Sequence, residues 1–391
     1  MDLDAPLLRQ LLLSADAPVA PFHTPGHRRG RGVAPELRRA WGEAVFRADL
    51  PELPDLDNLF AAEGVIAEAQ AAAAAAFGAE ASHFLVNGSS GGLMAAVLAC
   101  CGPGDRLLLP RNCHRSLVSA CILSGAVPVF LTPPYDPDLG VIGAVTAAQV
   151  ADALVRHPDL KAVLVVSPTY EGLCADLGAI ADLCHRHNLP LIVDAAHGAH
   201  HGWHPQLPPS AVQAGADLTV QSSHKTLGAL TQAAMLHRRG DRVDAERLAR
   251  ALALVQSSSP SYLLLASLDA ARADLQRRGH EQLSQTLALA EQARTALTPI
   301  PGLRLLAAGD RPGFERLDPT RLLVNVTAAG WDGFSADEWL CERGVLAELP
   351  ALESLTFLFS LGSQPEDGTR LVEALTELAR SPGPGAPPRL E

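Results

Sequence analysis

Between residues 83 and 221 the chain repeats one pattern. A short apolar run, rich in branched side chains, is followed by a stretch of helical character. The runs are HFLVN (83–87), RLLLP (106–110), AVPVFL (126–131), KAVLVV (161–166), LPLIVD (189–194) and ADLTVQ (216–221). They are nearly continuous in apolar character, not alternating. A strand that is apolar on both faces must be covered on both faces, as in a parallel sheet with crossover helices. The pattern predicts an α/β fold with a mostly parallel sheet. A composition of 48% hydrophobic and 19% charged residues, with no long biased tract, supplies a sizeable core and excludes a disordered chain.

The flanks read differently. Residues 1–45 are rich in Pro, His and Arg and read as an N-terminal arm, with one short apolar helix near Leu7 to Leu13. An Ala-rich helix from Glu63 to Phe77 stops at Gly78, placed at C′. After SSSPSY (257–262) a long helical pattern covers Leu263 to Leu297. Beyond it, short segments such as GLRLLA, RLLVNV and LTFLFSLG alternate with helices. The expected division is an arm (1–45), a large domain (46–260) and a smaller C-terminal α/β domain (261–391). The Pro/Gly-rich tail SPGPGAPPRLE is expected to fray.

Formal charge is −12, from 31 basic and 43 acidic residues, which argues against nucleic acid as a partner. The longest apolar run, Leu93 to Cys101, is far too short to span a membrane. The N-terminus carries acids where a signal peptide needs positive charge. Seven cysteines without a CxxC pair read as reduced thiols in a cytoplasmic protein.

Of the 31 basic residues only two, Lys161 and Lys225, are lysines. Arginine supplies charge but cannot form a carbon–nitrogen double bond to a carbonyl, so any amine chemistry rests on one of these two. Lys161 opens a strand on the side away from the expected crevice and reads as a surface residue. Lys225 comes just after the strand ADLTVQ, in QSSHKTLGA. Asp194 ends the strand LPLIVD; an acid there either points into the crevice where such sheets bind ligands or serves as a helix N-cap or surface acid. GSSGG (88–92) lies between strand and helix. It reads as a plain tight turn, as a phosphate cradle of free N–H groups at a helix N-terminus, or, because it matches GxSxG, as a hydrolase elbow with Ser90 as nucleophile. A phosphate cradle, an acid and an amine at strand ends form the set that holds pyridoxal phosphate. Ala196 is small enough to let a ring lie against the strand, and His114 in PRNCHRS is placed to cover its other face, or else reads as a helix-capping or surface histidine. The histidines His197, His200, His201 and His204 invite a metal reading. Gly198, Gly202 and Pro205 break the helix that would align them, and no Cys or acid completes the set, so no metal is expected. Cys113 reads as a reduced thiol, not a nucleophile.

FHTPGHRRG (22–30), DLPELPDLDNLF (49–60), FLVNGSSGG, PRNCHRS, SPTYEG (167–172), VDAAHGAHHGWHP, GADLTVQSSHKTLGALTQAAMLH (215–237) and SSSPSYLLLASLDAAR (257–272) occur in the same order as in the Orn/Lys/Arg decarboxylases. The chain resembles the shorter bacterial members over roughly residues 20 to 375. The resemblance implies a fold-type-I, pyridoxal-phosphate-dependent decarboxylase of arginine, lysine or ornithine, with a place in polyamine biosynthesis. It implies Lys225 as the lysine that bonds the cofactor, Asp194 as partner of the ring nitrogen and His114 as the stacking residue. Gly88, Ser89, Ser90, Ser222 and His224 would surround the phosphate, Thr169 would approach the ring hydroxyl, and Ala196 and His197 would lie beside the ring. It further implies a homodimer in which FHTPGH and SSSPSY serve the neighbour's site. The acidic run Asp49, Glu52, Asp55 and Asp57 reads either as a solvated loop or as a receiver for the distal cation of the substrate. Two departures stand out: Ala195 where the family has an acid, and Ser89 where it has Thr. Family members commonly continue into a further C-terminal domain that closes the site, which these 391 residues do not include. Three other readings keep parts of the pattern: an aminotransferase or other amino-acid lyase on the same cofactor, a serine hydrolase using Ser90, and a non-catalytic cofactor-binding protein.

Overall fold

A computed structural model describes residues 4–385; the last six residues of the tail expected to fray lie outside the described residues. The main sheet contains β1 (Ala81–Leu85), β2 (Arg106–Pro110) and β3 (Val127–Leu131). After a small hairpin of β4 (Tyr135–Asp136) and β5 (Val141–Ile142) it continues with β6 (Leu160–Val166), β7 (Leu191–Asp194), β8 (Leu218–Gln221) and β9 (Ala234–Arg238). The order is β1-β9-β8-β7-β6-β2-β3. All neighbours from β8 to β3 are parallel, and β9 runs antiparallel to both β8 and β1.

Successive side chains go to opposite faces, as the pleat requires. Leu107, Leu109, Leu164, Ile192 and Val220 pack with Leu93, Ala96 and Val97 of the helix Gly88–Cys100. Leu108, Val163, Val165, Leu191 and Val193 pack on the other face with Val150, Leu154 and Ile180. The helix Gly88–Cys100 lies directly on the sheet: a Cβ on Gly92 would stand 2.5 Å from Leu85 Cδ1 and 2.9 Å from Val220 Cγ1. β3 is one of the two edge strands, the place where a sheet tolerates Pro128.

Three expectations change in detail. β1 spans 81–85, so Val86 and Asn87 belong to the turn beyond it. β9 is absent from the predicted runs: AMLHR lacks β-branched residues and favours helix, but the slot between β1 and β8 makes it a strand. The start of the chain is more firmly docked than an arm. Helix Pro6–Asp16 buries Leu7 and Leu11, and Asp269 Oδ2 accepts from the Leu7 N–H at 2.9 Å. Asp269 belongs to the long helix Tyr262–Leu297. Helix Pro35–Trp41, by contrast, buries nothing.

The second sheet is antiparallel, with order β10-β11-β13-β12: β10 (Arg304–Leu305), β11 (Arg321–Asn325), β12 (Leu349–Pro350) and β13 (Ser354–Leu358). Its apolar cluster joins Leu322, Val324, Leu355 and Phe357 to Leu297, Leu340, Leu371 and Leu375 of the covering helices. Among the described residues no helix is long and apolar enough to cross a membrane.

The acidic run is spent locally. Asp57 Oδ2 accepts from the N–H groups of Gly64, Ile66 and Ala67, capping a helix that spans Val65–Phe77, two residues shorter than the predicted start at Glu63. Asp55 takes the Ser14 hydroxyl and Gln10, Glu52 takes Asn58, and Asp49 takes His27 at 3.1 Å. Asp55 and Asp57 are therefore structural carboxylates, both held below the usual carboxylate range: Asp55 chiefly by the Ser14 hydroxyl, and Asp57, against the opposing effect of burial, by backbone N–H groups.

Candidate active site

Because β9 opposes both β1 and β8, β1 runs in the same direction as the parallel strands, and its carboxyl end lies at the same sheet edge as theirs. The segments leaving these strand ends converge on one cavity of about 200 Å³. β1 delivers Gly88, Ser89 and Ser90; β2 delivers Asn112 and His114; β6 delivers Pro168 and Tyr170. β7 delivers Asp194, Ala196 and His197, and β8 delivers His224 and Lys225.

The helix Gly88–Cys100 begins at the cavity. Gly88 has φ +68°, a left-handed conformation that favours glycine. No side chain caps this helix, since Asn87 turns its amide away to donate to the Val255 carbonyl at 2.9 Å. The first turn thus offers backbone N–H groups and the positive helix end to the cavity, the arrangement that seats a phosphate. The Ser222 hydroxyl donates to Ser89 Oγ at 2.8 Å and ties this turn to the lysine segment.

Asp194 is 4% exposed and its Oδ1 accepts from the Ala196 N–H at 3.1 Å. Burial pushes its carboxyl up to about 6, against the pull of that N–H and of Lys225. Lys225 sits on the helical turn Ser223–Thr226, its Nζ 3.0 Å from His197 Nε2 and 5.5 Å from the centre of the Tyr170 ring. Burial lowers the lysine below its ordinary value. His197 packs its ring 4.3 Å from that of Tyr170, and its Nδ1 accepts from Arg321 Nη2 at 2.8 Å. Burial, with Arg321 and Lys225 beside it, holds His197 well below the usual imidazole value.

His114 lines the cavity and also caps the helix Arg115–Ser124, its Nδ1 accepting from the Ser116 N–H at 3.2 Å. His224 donates Nδ1–H to the Ala233 carbonyl at 2.9 Å. Two of the expected residues do not line the cavity. Ser222 reaches it only through Ser89, and the Thr169 hydroxyl accepts from the Leu173 N–H at 3.2 Å, its neighbours Pro168 and Tyr170 lining the wall instead. Among the described residues no histidine hydrogen-bonds Ser90, so the hydrolase reading lacks its base. Lys161 is exposed on β6.

The histidine run divides. Only His197 lines the cavity. His200 and His201 place Nε2 at 3.0 and 3.2 Å from Asp318 Oδ2, and the Thr320 hydroxyl donates to Asp318 Oδ1 at 2.7 Å. An acid does therefore complete this set, contrary to the sequence reading, with both histidines directed at Asp318 and all three groups buried. His204 pairs with Ser284 at 3.1 Å. The residues missed from sequence are Asn112, Tyr170 and Arg321. Asn112 and Tyr170 have a local signal, since they lie inside PRNCHRS and SPTYEG. Arg321 has none, being 124 residues from His197.

Comparison with known proteins places this geometry. Residues 5–308 match the Orn/Lys/Arg decarboxylase family over its major domain. The chain is 42% identical to the arginine decarboxylase of Bacillus subtilis over 96% of its own length and 78% of that protein's. It superposes on the solved lysine decarboxylase A of Pseudomonas aeruginosa with a TM-score of 0.83 at 27% identity, over 96% of this chain and 60% of that one. The Francisella novicida lysine decarboxylase LdcF shares the fold at a TM-score of 0.84 and 23% identity, over 97% of this chain and 60% of the other. The chain thus spans about 60% of the length of these solved structures. A fold-type-I α/β architecture, a cavity at the carboxyl ends of its strands and a family match over most of the sequence agree: the chain is a member of the Orn/Lys/Arg decarboxylase family of enzymes.

Proposed function

We propose that this chain releases the α-carboxylate of a basic amino acid as CO2, with pyridoxal 5′-phosphate as its cofactor and arginine as the first candidate substrate, ahead of lysine and ornithine. The observation that carries the reading is the fate of the two lysines. Lys225 lies in the cavity beside a buried carboxylate and an uncapped helix turn, while Lys161 faces solvent. Arginine comes first because four relatives named arginine decarboxylase are 40–42% identical over 96% of this chain.

The cavity residues fit the cofactor. The turn Gly88, Ser89, Ser90 offers unused N–H groups for a phosphate, and Asn112 Oδ1 is buried without a partner. Asp194 accepts only one backbone N–H and has room for a proton-bearing ring nitrogen. Ala196 adds no bulk, and His114 is the candidate cover. When bound, the cofactor supplies an electron sink for the electron pair left by CO2. The chain's part is to hold that sink in its protonated form through Asp194, to offer the Lys225 amine and to orient the ring between wall and cover.

Two further elements belong to this proposal. The first is the division into an arm (1–45), a large domain (46–260) and a small domain (261–391), in a cytoplasmic protein. The second is a homodimer in which FHTPGH and SSSPSY reach the neighbouring site. The helix that His114 caps supports the dimer, since it exposes Val118, Ile122 and Leu123 together, an apolar patch of the kind that marks an interface.

The experiment is a CO2-release screen of purified protein, with added cofactor, across the twenty amino acids and ornithine. Release from arginine, lysine or ornithine is expected. Silence across the set, or a keto acid formed without CO2, overturns the proposal.

A further inference from the structure

Arg321 reaches the cavity residue His197 from the second sheet. It opens β11 and is fully buried. Its stem passes Gly172, where a Cβ would lie 2.7 Å from Arg321 Cβ and where φ is +97°. Its Nη2 donates to His197 Nδ1 at 2.8 Å, and its Nε and Nη1 have no partner. His197 Nε2 lies 3.0 Å from Lys225 Nζ.

Donor rules leave one protonation pattern for this chain of three. A guanidinium has five N–H donors and no acceptor. His197 Nδ1 must therefore be the acceptor and carry no proton. A neutral imidazole then has its proton on Nε2, which makes Nε2 a donor. Its partner at 3.0 Å, Lys225 Nζ, must accept, and only an uncharged amine has a lone pair to accept with. A doubly protonated ring would set Nδ1–H against the guanidinium, donor against donor.

We propose that Arg321 is a positioning residue that locks His197 in its Nε2–H tautomer, and that His197 in turn holds Lys225 as a neutral, nucleophilic amine. This rests on the reading of Lys225 as the cofactor-bearing lysine. A neutral amine is the form that attacks a carbonyl carbon, so the lock readies Lys225 for its cofactor before the cofactor arrives. The surrounding charges agree in direction. Burial lowers Lys225, and Arg321 adds to it against Asp194 and Glu348. His197 is lowered by burial, then by Arg321, against Asp318. Around Arg321 itself stand Asp318, Glu348 and Glu171.

The test uses cofactor-free protein labelled with ¹⁵N at its histidine rings and lysine amines. Two lysines give two amine signals, assigned with Lys161→Arg, and His197 is assigned with His197→Gln. In the wild type, His197 Nδ1 is expected to read as unprotonated and Nε2 as protonated at neutral pH, with Lys225 titrating below the ordinary lysine value. Arg321→Met is expected to lose the tautomer preference and to raise the Lys225 midpoint by roughly one pH unit, the scale on which one charge partner moves an amine. Arg321→Lys, which keeps a charged donor, is expected to restore both. A proton on His197 Nδ1 in the wild type overturns the proposal, and needs no variant to fold. So does an unmoved Lys225 midpoint in a folded Arg321→Met protein. If instead the lock is seen but Lys225 captures no pyridoxal phosphate, the proposed function fails and this inference stands.

Discussion

Two buried aspartates, Asp194 at the end of β7 and Asp318 just before β11, are treated in opposite ways. Asp318 is saturated: His200, His201 and Thr320 all bond its carboxylate. Burial alone would raise it, but its histidine partners outweigh burial and hold it well below the usual carboxylate range. Asp194 accepts a single backbone N–H, and burial pushes it up to about 6. The first carboxylate has everything it needs inside the chain. The second is left short of partners where a ligand can supply one. Incomplete satisfaction next to a cavity is costly to an empty fold, and it separates a site residue from a structural one.

The contrast can be broken in four ways. The largest effect is expected for Asp194→Ala, whose turnover should fall about a hundred- to a thousandfold, the loss typical of one preorganised electrostatic partner. Steady-state CO2 release checks this, with circular dichroism confirming the fold. Asp318→Asn should act on the fold instead. Removing the charge from a buried hydrogen-bonded group should destabilise by about 3 kcal/mol, read as a lowered denaturant midpoint.

Asp194→Asn should do the reverse in cofactor-free protein. The folded pKa of Asp194 lies above its ordinary 3.8, so the folded state keeps a proton that the unfolded state releases. Stability from this group is present below about pH 4 and lost as pH rises through about 6. A neutral Asn should therefore stabilise the empty protein by up to about 3 kcal/mol near pH 8, with the gain shrinking toward zero near pH 4. Denaturation at several pH values checks the sign. If Asp194→Asn and Asp318→Asn shift stability in the same direction, the contrast is wrong. The smallest effect is expected for Asp57→Ala. Loss of a helix cap should destabilise by about 1 kcal/mol while the ranking of amino acid substrates stays unchanged. A changed ranking would return the acidic run to the substrate.

Legibility in the sequence depends on distance along the chain. Most of the six strands are legible because they are buried on both faces and so read as unbroken apolar runs; β3 reads as one too, although at the sheet edge it leaves Val127 and Phe130 exposed. Gly88, Asp194 and Lys225 are legible because each ends or succeeds such a strand, and the strand direction alone gathers them. β9 is hidden because Ala, Met and Leu say little about extended structure. Asp318 and Arg321 are hidden for a different reason. They lie more than a hundred residues beyond the histidines they serve, and only the docking of the second sheet brings them together. The histidine run therefore looks like four equivalent residues. In the structure one faces the cavity, two bind Asp318 and one meets Ser284. The acidic run is ambiguous in sequence, reading as a solvated loop or as a receiver for a cation, because the backbone N–H groups that Asp57 meets cannot be seen there.

The central claim is that Lys225, not Lys161, carries pyridoxal phosphate. The most direct measurement is to supply the purified protein with the cofactor, reduce with borohydride, digest and locate the modified lysine by mass spectrometry. Lys225 should carry the phosphopyridoxyl group, with visible absorbance lost in Lys225→Ala and kept in Lys161→Ala. A modified Lys161, or no modified lysine at all, would contradict the account.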